Sequence, residues 1–195
     1  MEVILGIDVG QKRESSALCA VELEEREVRR RRIDHFVVRH LERIASGTRY
    51  PEIVRRVGEV VDSVSDRTGY WPNVYVDVTG LGSPIVTLLH DEISGCWVRP
   101  VYFTYGDRRT IENDEIRLGK AWLVTRLQTL LQAGHLHLPR TDQAEVLAKE
   151  LLDYEIHVEP DANDRYGAFR VGRHDDLVTA LGLAVQEAPP RWEVL

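Results

Sequence analysis

Two aspartates lie inside short apolar segments that the sequence predicts to be buried strands. Asp8 follows Ile7 in VILGIDVG, and Asp77 follows Val76 in VYVDVTG. A carboxylate in an apolar strand is unfavourable unless it is paired or bound to a metal ion. Each aspartate also comes near the carboxyl end of its strand, where open α/β sheets place their binding sites. These two positions therefore predict a functional site.

A third acidic position, the pair Asp175 and Asp176, opens the last helical segment in HDDLVTALGLAV. With Asp8 and Asp77 it makes four carboxylates without clustered histidine or cysteine, a ligand set suited to Mg²⁺ or Mn²⁺. Two such ions would polarise a phosphodiester, activate water and stabilise the leaving oxygen. All four aspartates are therefore candidate metal ligands and catalytic residues. The alternative for Asp175 or Asp176 is a plain helix N-cap.

Several basic residues near these acids are candidate contacts to a phosphate substrate. Lys12 and Arg13 come just after Asp8, and His174 precedes the acidic pair. Each has the alternative interpretation of a solvated surface group.

The spacing of apolar residues predicts strands and helices that would position the acids. Strands are expected at 3–9, 16–22, 28–38, 74–78 and 97–103, with a short one at 135–138 and a hairpin within 156–171. Helices are expected at 51–69, 83–92, 120–133, 142–154 and 175–187, and residues 104–118 as a polar connection. A meander of three strands followed by alternating helices and strands predicts an α/β fold with a mixed central sheet and helices on both faces. The ribonuclease H-like fold has this order.

The composition is that of one soluble domain spanning residues 1–195, with 25 basic and 32 acidic residues and a net charge of −7. That charge argues against a protein that coats nucleic acid non-specifically, because such binding needs many lysines and arginines. Two cysteines are too few for a disulfide framework. We find no signal peptide and no apolar stretch long enough for a bilayer, so we expect a cytoplasmic protein without membrane contact.

The motifs resemble those of the nuclease domain of the large terminase subunit of tailed phages, a ribonuclease H-like family. The resemblance runs through GIDVGQKRESSALCAVE, VDVTGLGSPIVTLL, GKAWLVTRLQTLLQAGHLHLP, EVLAKELLDYEIHV and HDDLVTALGLAV. It implies that Asp8, Asp77 and Asp175 are metal ligands, with Asp176 adjacent and sharing the second ion. Lys120, which opens a helical segment, matches a lysine often found at that point in the family, so the resemblance makes it a candidate phosphate contact; the alternative is a solvated surface base. The resemblance further implies cleavage of double-stranded DNA with Mg²⁺ or Mn²⁺ during genome packaging in the host cytoplasm.

The sequence departs from a complete terminase large subunit in one respect. It has no GxxxxGK[ST] phosphate-binding loop, so a packaging ATPase would be a separate domain or delivery subunit. Two alternatives stay open. GIDVGQKR is also similar to the first motif of Holliday-junction resolvases, and a non-catalytic nucleic-acid-binding relative would keep the fold without the activity.

Overall fold

The computed structural model describes residues 2–11, 14–81, 83–153, 155–158, 164–167 and 175–187. The strands are β1 Glu2–Asp8, β2 Ser16–Val28, β3 Arg31–Ile44, β4 Asn73–Asp77, β5 Val98–Thr104, β6 Arg109–Glu112, β7 Glu115–Gly119, β8 Leu136–His137, β9 Glu155–Val158 and β10 Asp164–Gly167. The helices are α1 Tyr50–Thr68, α2 Ser83–Glu92, α3 Lys120–Gln132, α4 Asp142–Asp153 and α5 Asp176–Val185.

Eight of these strands form one mixed sheet in the order β6-β7-β5-β4-β1-β2-β3-β8. Strands β1, β2 and β3 pair antiparallel, which confirms the predicted meander. Strands β1, β4, β5 and β7 run parallel to one another. The sheet therefore combines a meander on one side with crossover-connected strands on the other. The predicted short hairpin near the C-terminus is also present, as antiparallel β9 and β10.

Helices cover both faces of the sheet, as the sequence predicted. On one face the apolar stripe of α1, including Val57 and Val61, packs with Leu5 and Ile7 of β1. On the other face α5 lies over β1 and β2, with α3 and α4 beside it. Helix α5 is buried almost throughout, which explains its continuous apolar sequence. The fold is α/β and ribonuclease H-like, in agreement with the expectation.

Two predictions about the strands are wrong. The strands expected at 16–22 and 28–38 leave the charged segment 24–27 between them as the predicted turn, yet β2 continues to Val28 and the turn is formed by Arg29 and Arg30. Residues 104–118 were expected to be a polar connection, yet they contain β6 and β7, joined at Asn113 and Asp114. Strand β6 is mostly exposed and lies at the sheet edge, so it lacks the apolar pattern of a buried strand.

The helices begin and end close to the residues that the sequence predicted. Helix α1 has its proline in the first turn and ends at Gly69, whose φ of 76° is the left-handed value that glycine adopts without strain. Among the described residues, no helix combines the length and the apolar character that a membrane span needs.

Candidate active site

The register between β1 and β4 brings the two strand aspartates to the same edge of the sheet. These strands are parallel neighbours, with Ile7 opposite Val76. Asp8 and Asp77 are the next residues and end their strands side by side. Each is only partly exposed, because the flanking residues belong to the core.

Helix α5 delivers the second pair of acids to this edge. Its close approach to β1 is possible because Gly6 has no side chain: a Cβ there would lie 2.0 Å from the carbonyl oxygen of Ala180. The helix consequently begins beside the ends of β1 and β4. Asp8, Asp77, Asp175 and Asp176 line one cleft of about 320 Å³ with Lys120.

The cleft accumulates negative charge that the protein only partly offsets. Burial raises the pKa of Asp8 well above its usual range, and the charges of Asp77, Asp175 and Asp176 raise it further, against an opposing effect of Lys120. Burial also raises the pKa of Asp77, although this carboxylate accepts a 2.8 Å hydrogen bond from the backbone N–H of Thr79. Such an arrangement favours a bound cation, which would stabilise the ionised carboxylates.

Asp175 and Asp176 have different surroundings. Asp176 is buried and accepts hydrogen bonds from Arg43 of β3, from Nε at 2.9 Å to Oδ2 and from Nη2 at 2.7 Å to Oδ1. Arg43 also forms an ion pair with the buried Glu150 of α4. Asp175 is partly exposed at the N-cap position of α5, where its side chain makes no capping hydrogen bond. The plain N-cap interpretation therefore does not account for Asp175.

Lys120 owes its position to a strand that the sequence did not predict. Strand β7 pairs with β5 and ends at Gly119, so the following lysine starts α3 at the same edge of the sheet. The Lys120 ammonium group lies 5.5 Å from the centre of the Phe103 ring, a cation–π distance. Phe103 thus contributes to holding the lysine at the cleft.

The loops that follow Asp8 and Asp77 are tied to each other. The Gln11 side-chain amide donates a 3.2 Å hydrogen bond to the carbonyl oxygen of Thr79. The backbone N–H of Gly10 donates to the Ser16 hydroxyl at 3.0 Å. The first bond connects the two loops, and the second ties the loop after Asp8 to the start of β2. The candidates Lys12, Arg13 and His174 lie outside the described residues.

Sequence reasoning missed several residues of the cleft and its support. Glu14, Ser15, Phe103 and Thr179 also line the cleft. Glu14 follows the first acidic strand closely, and this nearness was the available signal for it. Arg43 and Glu150 had no such signal, because they lie on distant elements: only in the folded chain does Arg43 meet Asp176 and Glu150 meet Arg43.

The chemistry of the donor groups fits a hard divalent cation. The acidic groups in the cleft are all carboxylates, the ligands that Mg²⁺ and Mn²⁺ prefer. Within the described residues, however, no three acidic, histidine or cysteine side chains already lie close enough together to hold one ion. The fit of the described residues to such an ion therefore rests on the chemistry of the carboxylate donors.

Comparison with solved structures identifies proteins of the same fold. The crystal structure of the large terminase nuclease from thermophilic phage G20c is 20% identical, with a TM-score of 0.64 over 94% of this chain and 80% of that one. The same nuclease with bound magnesium matches equally well, at 20% identity over 95% and 81% of the two chains. The manganese-soaked human cytomegalovirus terminase nuclease domain is 16% identical, with a TM-score of 0.57 over 93% and 80%.

These likenesses confirm the sequence-based resemblance at the level of the fold. The HK97 bacteriophage large terminase also matches, at 11% identity and a TM-score of 0.63, over 96% of this chain but 39% of that one. No protein-family model matches the sequence, and no curated protein is significantly similar to it.

Proposed function

We propose that this protein is a divalent-metal-dependent endonuclease that cleaves double-stranded DNA, in the manner of a terminase nuclease domain. One observation carries the proposal: aspartates from β1, β4 and the start of α5 face the same cleft beside Lys120. Asp8, Asp77 and Asp175 are far apart in the sequence, and folding brings them to one edge of the sheet. Relatives in fold, solved with magnesium or after a manganese soak, support the choice of metal.

Asp8, Asp77 and Asp175 are the proposed metal ligands, for two Mg²⁺ or Mn²⁺ ions. The bound ions would polarise the phosphodiester and lower the pKa of a water nucleophile. Asp176 lies next to Asp175 but is engaged by Arg43, so its proposed part is to fix the start of α5 and add negative charge to the cleft. Asp175 is therefore the better candidate of the pair for direct ligation.

Lys120 is the proposed contact to the substrate phosphate. Its ammonium group is at the cleft and is placed by Phe103, and a phosphate there would meet a positive charge in an otherwise acidic site. Lys12, Arg13 and His174 remain candidate substrate contacts on sequence grounds.

The proposed substrate is duplex DNA, and the proposed partner is a packaging ATPase domain or another delivery subunit. The HK97 large terminase, of which this chain matches 39%, supports a role alongside further domains. With a net charge of −7, the isolated protein is expected to hold DNA weakly and with marked salt dependence, so delivery by a partner would raise its effective concentration on DNA.

A plasmid-cleavage assay with Mn²⁺ tests the proposal. The wild type is expected to linearise supercoiled plasmid, whereas Asp8→Asn and Asp77→Asn are expected to lower the rate by at least about a hundredfold, because a lost metal ligand removes several kcal/mol of transition-state stabilisation. Asp66→Asn, an exposed aspartate of α1, is the matched control and should cleave like the wild type.

The same assay separates the alternatives. Preference for four-way junctions over linear duplex would favour the resolvase interpretation. An intact fold that neither binds Mn²⁺ in calorimetry nor cleaves any DNA would favour the non-catalytic one. Robust cleavage by the Asp8→Asn/Asp77→Asn double variant would overturn the assignment of the site.

A further inference from the structure

The hairpin formed by β2 and β3 continues beyond the rest of the sheet as a two-stranded ribbon. Glu2, the first residue of β1, is opposite Leu23 of β2, so the hairpin residues further along have no β1 partner. We call residues 25–34 the basic ribbon. Its side chains at 25–27 and 29–32 are exposed, so little burial stabilises it.

The turn of the basic ribbon is formed by two arginines, a residue type that disfavours the backbone conformation of this turn. Arg29 and Arg30 have φ values of 50° and 64°, the left-handed conformation of a type I′ turn. The β6–β7 hairpin has the same turn at Asn113 and Asp114, with φ of 51° and 64°. Asparagine and aspartate tolerate this conformation, whereas arginine does so poorly. Turn formation therefore does not explain the arginines, and a role of their side chains would.

The charges of the basic ribbon are divided between its faces. Residues directly opposite each other share a face, and faces alternate along each strand. One face carries Glu25, Glu27, Arg32 and Asp34, and there Arg32 pairs with Glu25 at 3.3 Å. The other face carries Arg26 and Arg31 with Ile33.

The end of the basic ribbon is cationic. Arg29, Arg30 and Arg31 form no ion pair with another described residue. They are thus three adjacent positive charges at the tip of a projecting hairpin, in a protein whose net charge is −7. A polyanion is the ligand that such a tip would attract.

The length of the hairpin sets the distance between this tip and the acidic cleft. Ala17 of β2 is opposite Asp8, and Val28 ends the same strand. At about 3.3 Å per residue the strand spans roughly 36 Å between them. This is close to one helical turn of B-DNA, about 34–36 Å. A two-stranded ribbon is also one of the elements that the major groove admits.

We propose that the basic ribbon is a second DNA contact, in which Arg29, Arg30 and Arg31 meet the duplex about one helical turn from the cleft. The proposal rests on duplex DNA being the substrate, as inferred above. In this arrangement, an acidic protein binds DNA through a cationic surface that lies apart from the proposed metal-binding carboxylates. DNA held at the ribbon would reach the cleft at raised effective concentration.

Fluorescence anisotropy with labelled 30-bp and 8-bp duplexes in EDTA tests the proposal without cleavage. The decisive variant is Arg29→Asn/Arg30→Gly, which removes two charges and supplies the residues that a type I′ turn prefers. It should unfold at the same or a higher temperature than the wild type. The matched control is Arg55→Gln/Arg67→Gln, which removes two exposed arginines of α1.

The variant is expected to bind the 30-bp duplex more weakly and to lower the slope of log K against log salt by about 1.8, for two lost phosphate contacts. The loss should be smaller with the 8-bp duplex, which is shorter than one helical turn of about 10 bp and therefore too short to engage ribbon and cleft together. The control should bind both duplexes like the wild type.

An unchanged affinity and salt slope in Arg29→Asn/Arg30→Gly would overturn the proposal and favour an acidic protein as the partner of the ribbon. An equal loss in the control would also overturn it, because the effect would then be one of total charge. A wild type that binds through the ribbon but cleaves no DNA with Mn²⁺ would contradict the nuclease function alone.

Discussion

Asp8 destabilises the metal-free protein at neutral pH, because burial and three neighbouring carboxylates raise its pKa well above the usual range. A carboxyl group whose pKa is raised by folding favours the folded state when protonated, and this stability is lost as pH rises through the raised pKa. Asp8→Asn removes the charge at nearly constant shape. We expect this variant to unfold at a higher temperature than the wild type at pH 8 in EDTA, by at least about 2–4 °C, which corresponds to about 1 kcal/mol.

The gain in Asp8→Asn should shrink at pH 5, where the wild-type carboxyl group is closer to its protonated form. Thermal unfolding followed by circular dichroism at both pH values measures this difference. Asp66→Asn controls for the loss of one surface charge. A gain of the same size at both pH values, or none, would show that the charge of Asp8 is not the origin of the instability.

Arg43 is the residue on which the start of α5 depends. It binds Asp176 through two nitrogens and pairs with Glu150, and both carboxylates are buried. Arg43→Met would leave both charges without their cation, a change that typically destabilises by about 3–5 kcal/mol. Urea denaturation should show this loss, and adding Asp176→Asn and Glu150→Gln to Arg43→Met should recover part of it. A single variant as stable as the wild type would mean that the triad does not hold the helix.

The elements that place the acids were largely predictable, because they are buried and regular. Strands β1 and β4 carry continuous apolar runs, and α1 carries a clear helical stripe. The failures have a common physical origin in exposure. The charged segment 24–27 indicated a turn but is part of β2, and its residues 25–27 are exposed in the basic ribbon; β6 is also mostly exposed. The contact between Arg43 and Asp176 was beyond prediction, since it joins residues 133 positions apart through side chains alone.

The packing of α5 on β1 is the element-level contact that sets the geometry of the cleft. A Cβ at Gly6 would lie 2.0 Å from the Ala180 oxygen and 2.7 Å from the Ala184 nitrogen, so the helix backbone would have to move. Gly6→Ala is expected to destabilise by about 1–3 kcal/mol or more in urea denaturation. It should also lower cleavage by the remaining folded protein, because Asp175 moves with the helix.

Gly58→Ala is the control for Gly6→Ala. A Cβ at Gly58 would meet only the flexible Glu92 side chain, at 3.3 Å, and alanine within α1 should stabilise by up to about 1 kcal/mol. If Gly6→Ala retained wild-type stability and cleavage, the close approach of α5 to β1 would not be what positions the acids.

At the scale of the whole molecule, the charges that sum to −7 are unevenly distributed, with negative and positive charge concentrated at different places. Five acids, the four aspartates and Glu14, line the cleft, while the arginines of the basic ribbon lie at the far end of β2. A divalent cation should therefore stabilise the protein by binding one site and not by screening its surface as a whole. At a concentration one hundred times its Kd, an ion that binds only the folded state contributes about 2.7 kcal/mol.

Thermal unfolding with increasing Mn²⁺ at constant ionic strength measures this contribution. The unfolding temperature of the wild type should rise with the metal concentration, whereas that of Asp8→Asn/Asp77→Asn should stay nearly constant. Asp66→Asn/Asp91→Asn changes the net charge equally at exposed positions and should keep the full wild-type response. If both double variants lost the response equally, the effect of Mn²⁺ would follow the total charge. Retention in the control alone would locate the stabilising ion among the cleft carboxylates, where the two strand ends and α5 meet.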